Sequence, residues 1–155
     1  MVRSLLILIA LLPLTSFKAQ SHITVPEIVL NITITEAAAI KLSQSGESIS
    51  GVFYFDGPGT PYPPNRKTAP FRSVFLGSYR FEVMQAGEFR FTDAVISKEA
   101  YNRLSDKNYY FTLNIVSSRK AFEDNLLRGG FAAGRVEDFK LDRPINVNLS
   151  LLSER

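Results

Sequence analysis

Apolar and polar residues alternate along most of this chain, and the runs are short. Ile28, Leu30, Ile32 and Ile34 interleave with Val29, Asn31, Thr33 and Thr35, a period of two that predicts a strand with one buried face. Thr35 then offers an N-cap to a short helix from Glu36 that Gly46 closes. Alternation resumes from Ile49 to Asp56. Arg72–Leu76 and Tyr79–Met84 flank Gly77-Ser78, which reads as a two-residue hairpin turn. A second turn at Gln85-Ala86-Gly87 leads into a strand through Phe89 and Phe91 that ends at Ile96. Ser97 caps a second short helix, Lys98 to Leu104. Tyr109, Phe111, Leu113 and Ile115 mark a long strand, Phe131 to Leu141 a weaker one, and Pro144 opens a last run at Ile145, Val147, Leu149 and Leu151.

The segment Ile34–Ser43 lies over Ile96–Ser105 at a constant offset, matching Ile, Ala, Leu and Ser with Thr/Ser and Lys/Arg exchanges. At the same offset Ile49, Gly51 and Phe53 fall on Phe111, Leu113 and Ile115, so an internal strand–helix–strand repeat is one reading of the pattern. The expected class is all-β: an antiparallel β-sandwich of seven or eight strands, with two short connecting helices. In outline it resembles immunoglobulin-like or transthyretin-like architecture, although the Cys and Trp marks of antibody-type domains are missing because the chain has neither residue.

The first residues follow another logic. Arg3 precedes an unbroken apolar run from Leu5 to Leu12, and Pro13 to Ala19 form a short polar end, the order of a secretory signal. Cleavage is expected after Ala19, leaving residues 20–155 as a single domain that is periplasmic or secreted. The apolar run is too short to cross a bilayer, and no later run approaches the length required, so the mature chain is expected to lack a membrane span. Of the 18 basic residues, Arg3 and Lys18 fall in the signal, which leaves 16 against 15 acidic ones. A nearly neutral chain has no strong field for a phosphate backbone, so nucleic acid is not an expected partner. Without cysteine, the domain must be stable through its core alone.

Catalytic chemistry finds little support. His22, the single histidine, stands next to the expected cleavage point, where a terminus seldom holds an imidazole for nucleophilic catalysis. Glu123, Asp124, Glu137 and Asp138 could supply a pair of carboxylates for glycoside hydrolysis. Each pair is adjacent in sequence and interleaved with basic residues such as Arg135 and Lys140, which suits surface ion pairing. The same acids lack the spacing of a hand-type calcium loop, and no other metal or cofactor site is expected. Gly129-Gly130-Phe131-Ala132-Ala133-Gly134 echoes a phosphate-binding loop, but Arg135 and Val136 stand where a lysine and a hydroxyl are needed. Asn31-Ile32-Thr33 and Asn148-Leu149-Ser150 are glycan-acceptor patterns on strands, with both asparagines expected to face outward.

Residues 57–70, with five prolines and two glycines, break every pattern and predict a long, stiff, exposed loop. Tyr62 between Pro61 and Pro63, followed by Arg66 and Lys67, would present an interface anchor at low entropic cost. The charged, Gly-rich stretch 119–135 adds Arg128 and Phe131. The resulting expectation is a non-enzymatic, exported binding or accessory module that contacts another protein, or a carbohydrate, through Tyr62, Arg66, Lys67, Arg128 and Phe131. Its rivals are a small inhibitor of an exported protein, a self-assembling structural subunit and, last, a carboxylate-dependent hydrolase.

Overall fold

The computed structural model describes residues 21–61, 71–139 and 143–154. Its elements, in chain order, are β1 (His22–Thr24), β2 (Ile28–Ile34), α1 (Glu36–Ser45), β3 (Ile49–Pro61), β4 (Phe71–Val83), β5 (Gly87–Phe91) and β6 (Val95–Ser97). There follow α2 (Lys98–Asn102), β7 (Tyr110–Ser117), β8 (Leu127–Arg128), β9 (Phe131–Arg135), a 3-10 turn at Val136–Asp138, and β10 (Ile145–Leu151). With 54% strand against 15% helix, the class is all-β.

Two four-stranded sheets pack face to face. One runs β5-β2-β10-β8, the other β4-β3-β7-β9, and a two-stranded ladder of β1 and β6 stands beside them. The second sheet is antiparallel throughout, whereas β10 lies parallel to β2, with Asn31 opposite Asn146 and Thr33 opposite Asn148. That parallel pair departs from the wholly antiparallel expectation. It arises because the chain reaches β10 from the far sheet rather than through a hairpin.

Alternation places Ile28, Leu30 and Ile32 of β2 and Val147 and Leu149 of β10 against Phe53 and Phe55 of β3 and Phe111, Leu113 and Ile115 of β7. Phe53 sits at the centre, with the rings of Phe81, Phe91 and Phe111 between 5.8 and 6.3 Å away. Offset and tilted ring pairs of this kind add to the energy of burial itself.

Both helices begin where a hydroxyl caps them. Thr35 accepts from the Ala38 N–H, and Ser97 from the Ala100 N–H. Gly46 ends α1 with φ 69°. At the offset of the sequence repeat, Ala38 and Leu42 correspond to Ala100 and Leu104, and all four are buried. The strands that follow, β3 and β7, are antiparallel neighbours. The strands that precede differ, since β2 belongs to a four-stranded sheet and β6 to the small ladder.

Two expectations from the sequence are corrected. Gly77-Ser78 is not a turn, because β4 runs through it as one strand with Tyr54 opposite Ser78 and Phe55 opposite Gly77. Its pairing skips Leu76, a bulge that turns Val74 inward and leaves Phe75 outward. A bulge and a tight turn interrupt alternation in the same way, which is why the sequence suggested a turn. The supposed loop from residue 57 also begins later: Gly57 to Pro61 still belong to β3, and Pro61 faces Phe71 across the ladder.

Candidate functional site

The outward face of the β4-β3-β7-β9 sheet follows from register. Across its strands lie the rows Arg80–Val52–Asn114–Phe131, then Ser78–Tyr54–Thr112–Ala133, then Phe75–Asp56–Tyr110–Arg135. Four rings therefore occupy outward positions, with exposures of 39% for Tyr54, 58% for Phe75, 37% for Tyr110 and 68% for Phe131. Since neighbouring strands are about 4.8 Å apart, Phe75 and Tyr110, on either side of Asp56, are separated by about 10 Å. Polar groups stand between the rings. The Arg135 guanidinium lies over the Tyr110 ring, 6.0 Å from its centre, and donates to Glu137 at 2.7 Å. The Ser73 hydroxyl donates to Asp56 at 2.7 Å.

Shallow hollows flank the middle row. One, of about 410 Å³, is lined by residues that include Ser50, Val52, Arg80, Glu82, Asn114 and Val116. Another, of about 370 Å³, is lined by Asp56, Pro58, Arg72, Ser73, Asp106 and Tyr110, among others.

The crossings between the sheets hold this face in place. After β7 the chain leaves for β8 through residues 118–126, and a buried carboxylate grips that passage. Glu47, 2% exposed, accepts from the Ser118 hydroxyl at 2.5 Å and from the N–H groups of Ala121 and Phe122 at 2.7 and 3.1 Å. Burial alone would push its carboxyl up, but Ser118 and the backbone donors of Ala121, Phe122 and Arg119 hold it below the usual carboxylate range. Beside it Glu82 accepts from Lys120 and from the Ser48 hydroxyl. The chain then returns from β8 to β9 through Gly129 and Gly130. A Cβ at Gly129 would stand 2.2 Å from the Asn148 carbonyl oxygen, and one at Gly130 2.1 Å from that of Ile115. The glycines are thus required by close backbone approach, not by a bound phosphate.

The residues proposed from sequence separate into three groups. Tyr62, Arg66 and Lys67 lie outside the described residues, in the stretch that joins β3 to β4. Phe131 is on the ring-bearing face. Arg128 is on the other sheet, where its guanidinium donates to Ser150 at 2.9 Å, so it shares no surface with Phe131. His22 lies in β1, paired with Ser97, and its Nδ1 meets the adjacent Ser21 hydroxyl at 2.8 Å. Glu123, Asp124, Glu137 and Asp138 are all exposed. Among the described residues no group of three or more His, Cys, Asp or Glu is placed to hold a metal ion, and no helix is long and apolar enough to cross a membrane. Asn31 and Asn148 face outward as expected, hydrogen-bonded to Asn146 and Thr33.

Sequence reasoning missed Tyr54, Phe75 and Tyr110. Their neighbours in sequence are equally apolar, so alternation alone could not say which set faces outward. No family model, no curated protein and no solved structure matches this chain.

Proposed function

We propose that this chain is a non-enzymatic, exported binding module that contacts another exported protein through the outward face of its β4-β3-β7-β9 sheet. The observation that carries the proposal is the gathering of Tyr54, Phe75, Tyr110 and Phe131 at outward positions of one sheet. Aromatic side chains are the commonest anchors of protein contacts, because each removes a large apolar area from water while ordering few torsions. The hydrogen-bonding groups interleaved with them, Arg80, Asn114 and Asp56, suit the polar surround of such an anchor. Export rests on the signal-like order of residues 1–19, and the absence of enzymatic activity on the outward, ion-paired disposition of the candidate acids.

The test is affinity capture with the mature chain from its own cell envelope and medium, using wild type, the double variant Tyr54→Ser/Phe131→Ser and the opposite-face control Asn148→Ser. A stoichiometric protein retained by wild type and control but lost by the double variant is the expected result. Retention by all three, or capture of nothing, would sink the proposal.

A further inference from the structure

The outer edge of β4 lies next to the ring-bearing face, and its chemistry differs from the rest of that face. β4 is the last strand of its sheet, so its outer main-chain groups have no ladder partner there. Two irregularities mark the pairing with β3, one at Leu76 and one between Pro58 and Pro61 that takes Thr60 out of register. Along this edge runs a cavity of about 520 Å³ lined by Thr60, Arg72, Ser73, Val74, Phe75 and Arg103. Two guanidinium groups thus stand in one hollow whose lining includes no carboxylate. Arg103 is held there as the C-cap of α2, its N–H donating to the Ala100 carbonyl at 3.0 Å. The acids Asp56 and Asp106 line the adjoining hollow instead.

We propose, resting on the binding function above, that the partner presents an extended acidic segment that adds alongside β4, with its carboxylates at Arg72 and Arg103 and an apolar side chain on Phe75. An added strand takes its affinity from main-chain hydrogen bonds and its specificity from alternate side chains. Every second side chain of such a strand points the same way, at a spacing of about 6.7 Å. Guanidinium groups bind carboxylates through two parallel hydrogen bonds and match their planar geometry. Asp56 and Asp106 repel a carboxylate placed one hollow away, which fixes the register of the acidic residues. Basic residues on an open edge also discourage pairing between copies of a chain. The two roles differ in outcome: a guard against pairing admits no peptide, whereas a receptor admits one of the right charge.

The experiment titrates the mature chain with a short capped peptide alternating Glu and Val, and with a second peptide carrying Lys in place of Glu, read by fluorescence anisotropy. Saturable binding of the Glu peptide alone is expected, weakened by salt and reduced at least about fivefold in Arg103→Glu, the scale of one exposed ion pair lost and reversed. Phe75→Ala should weaken it as well. Equal binding of both peptides, no binding of either, or an Arg103→Glu variant that binds like wild type overturns the proposal. Partner capture separates the two levels. If Tyr54→Ser/Phe131→Ser loses the partner while Arg103→Glu and Phe75→Ala keep it, the face stands and the edge falls. Loss in Arg103→Glu with retention in the Tyr54/Phe131 variant keeps the edge and rejects the face.

Discussion

On the outward side of the β5-β2-β10-β8 sheet the polar side chains bind one another. Asn31 donates to Asn146 at 3.0 Å, Thr33 to Asn148, Arg128 to Ser150 at 2.9 Å, and Arg90 to Glu88 at 2.9 Å. On the outward side of the β4-β3-β7-β9 sheet the corresponding positions hold Tyr54, Phe75, Tyr110 and Phe131, rings with water on one side. Both faces come from the same two-residue alternation, and what differs is how far each is satisfied within the chain. A partner gains little by displacing amides already bonded to each other, while exposed rings still have apolar area to lose. The contrast assigns contact to one face and structural support to the other.

Severing the link between the faces should have the largest effect. Gly130→Ala forces a Cβ against the Ile115 carbonyl, at the point where the chain passes from one sheet to the other. A loss of at least about 3 kcal/mol in urea unfolding, or failure to fold, is expected. A loss below about 1 kcal/mol would mean that the crossing relaxes freely.

Glu47→Gln comes next, at about 2 kcal/mol, because an amide returns only part of the charge-assisted bonding. Its pH dependence has a definite sign. The folded carboxyl lies below its ordinary value of 4.5, so its contribution is complete above that value and is lost as pH falls through the folded one. Between about pH 7 and about pH 4, wild type should therefore lose more thermal stability than Glu47→Gln. Parallel curves would show that Glu47 is protonated in the fold.

Smaller again is the amide pair. Asn31→Ala and Asn146→Ala should each cost about 0.5 to 1 kcal/mol, and a double-mutant cycle should return a coupling of about 0.5 kcal/mol. No coupling would erase the distinction drawn between the faces. Smallest in stability is Phe131→Ser, with a change below about 0.5 kcal/mol by thermal midpoint, together with loss of partner capture. A large fall in midpoint would make Phe131 part of the core instead.

Much of the fold is legible in local chemistry. Thr35, Ser97 and Gly46 mark helix ends because each satisfies backbone groups a few residues away, and β2, β3, β7 and β10 follow from alternation. What stays hidden depends on contacts far along the chain. Glu47 gives no local sign of burial, since its donors lie more than seventy residues away. The bulge at Leu76 is visible only once Phe55 and Asp56 supply its partners. For the site, Phe131 was picked out beside two glycines, whereas Tyr54 sits in Val52-Phe53-Tyr54-Phe55, where either set of alternate residues could have formed the core.

The parallel pairing of β2 with β10 also bears on the order in which the molecule assembles. Asn31 and Asn146, which meet across that ladder, are 115 residues apart. β2 is thus among the first strands to emerge in synthesis and waits for the last before it is flanked on both sides. Such distant closure slows folding, because the entropy of a long loop is lost before the contact rewards it. A chain still being made cannot finish its sheet, so it remains unfolded and threadable until its final strand arrives.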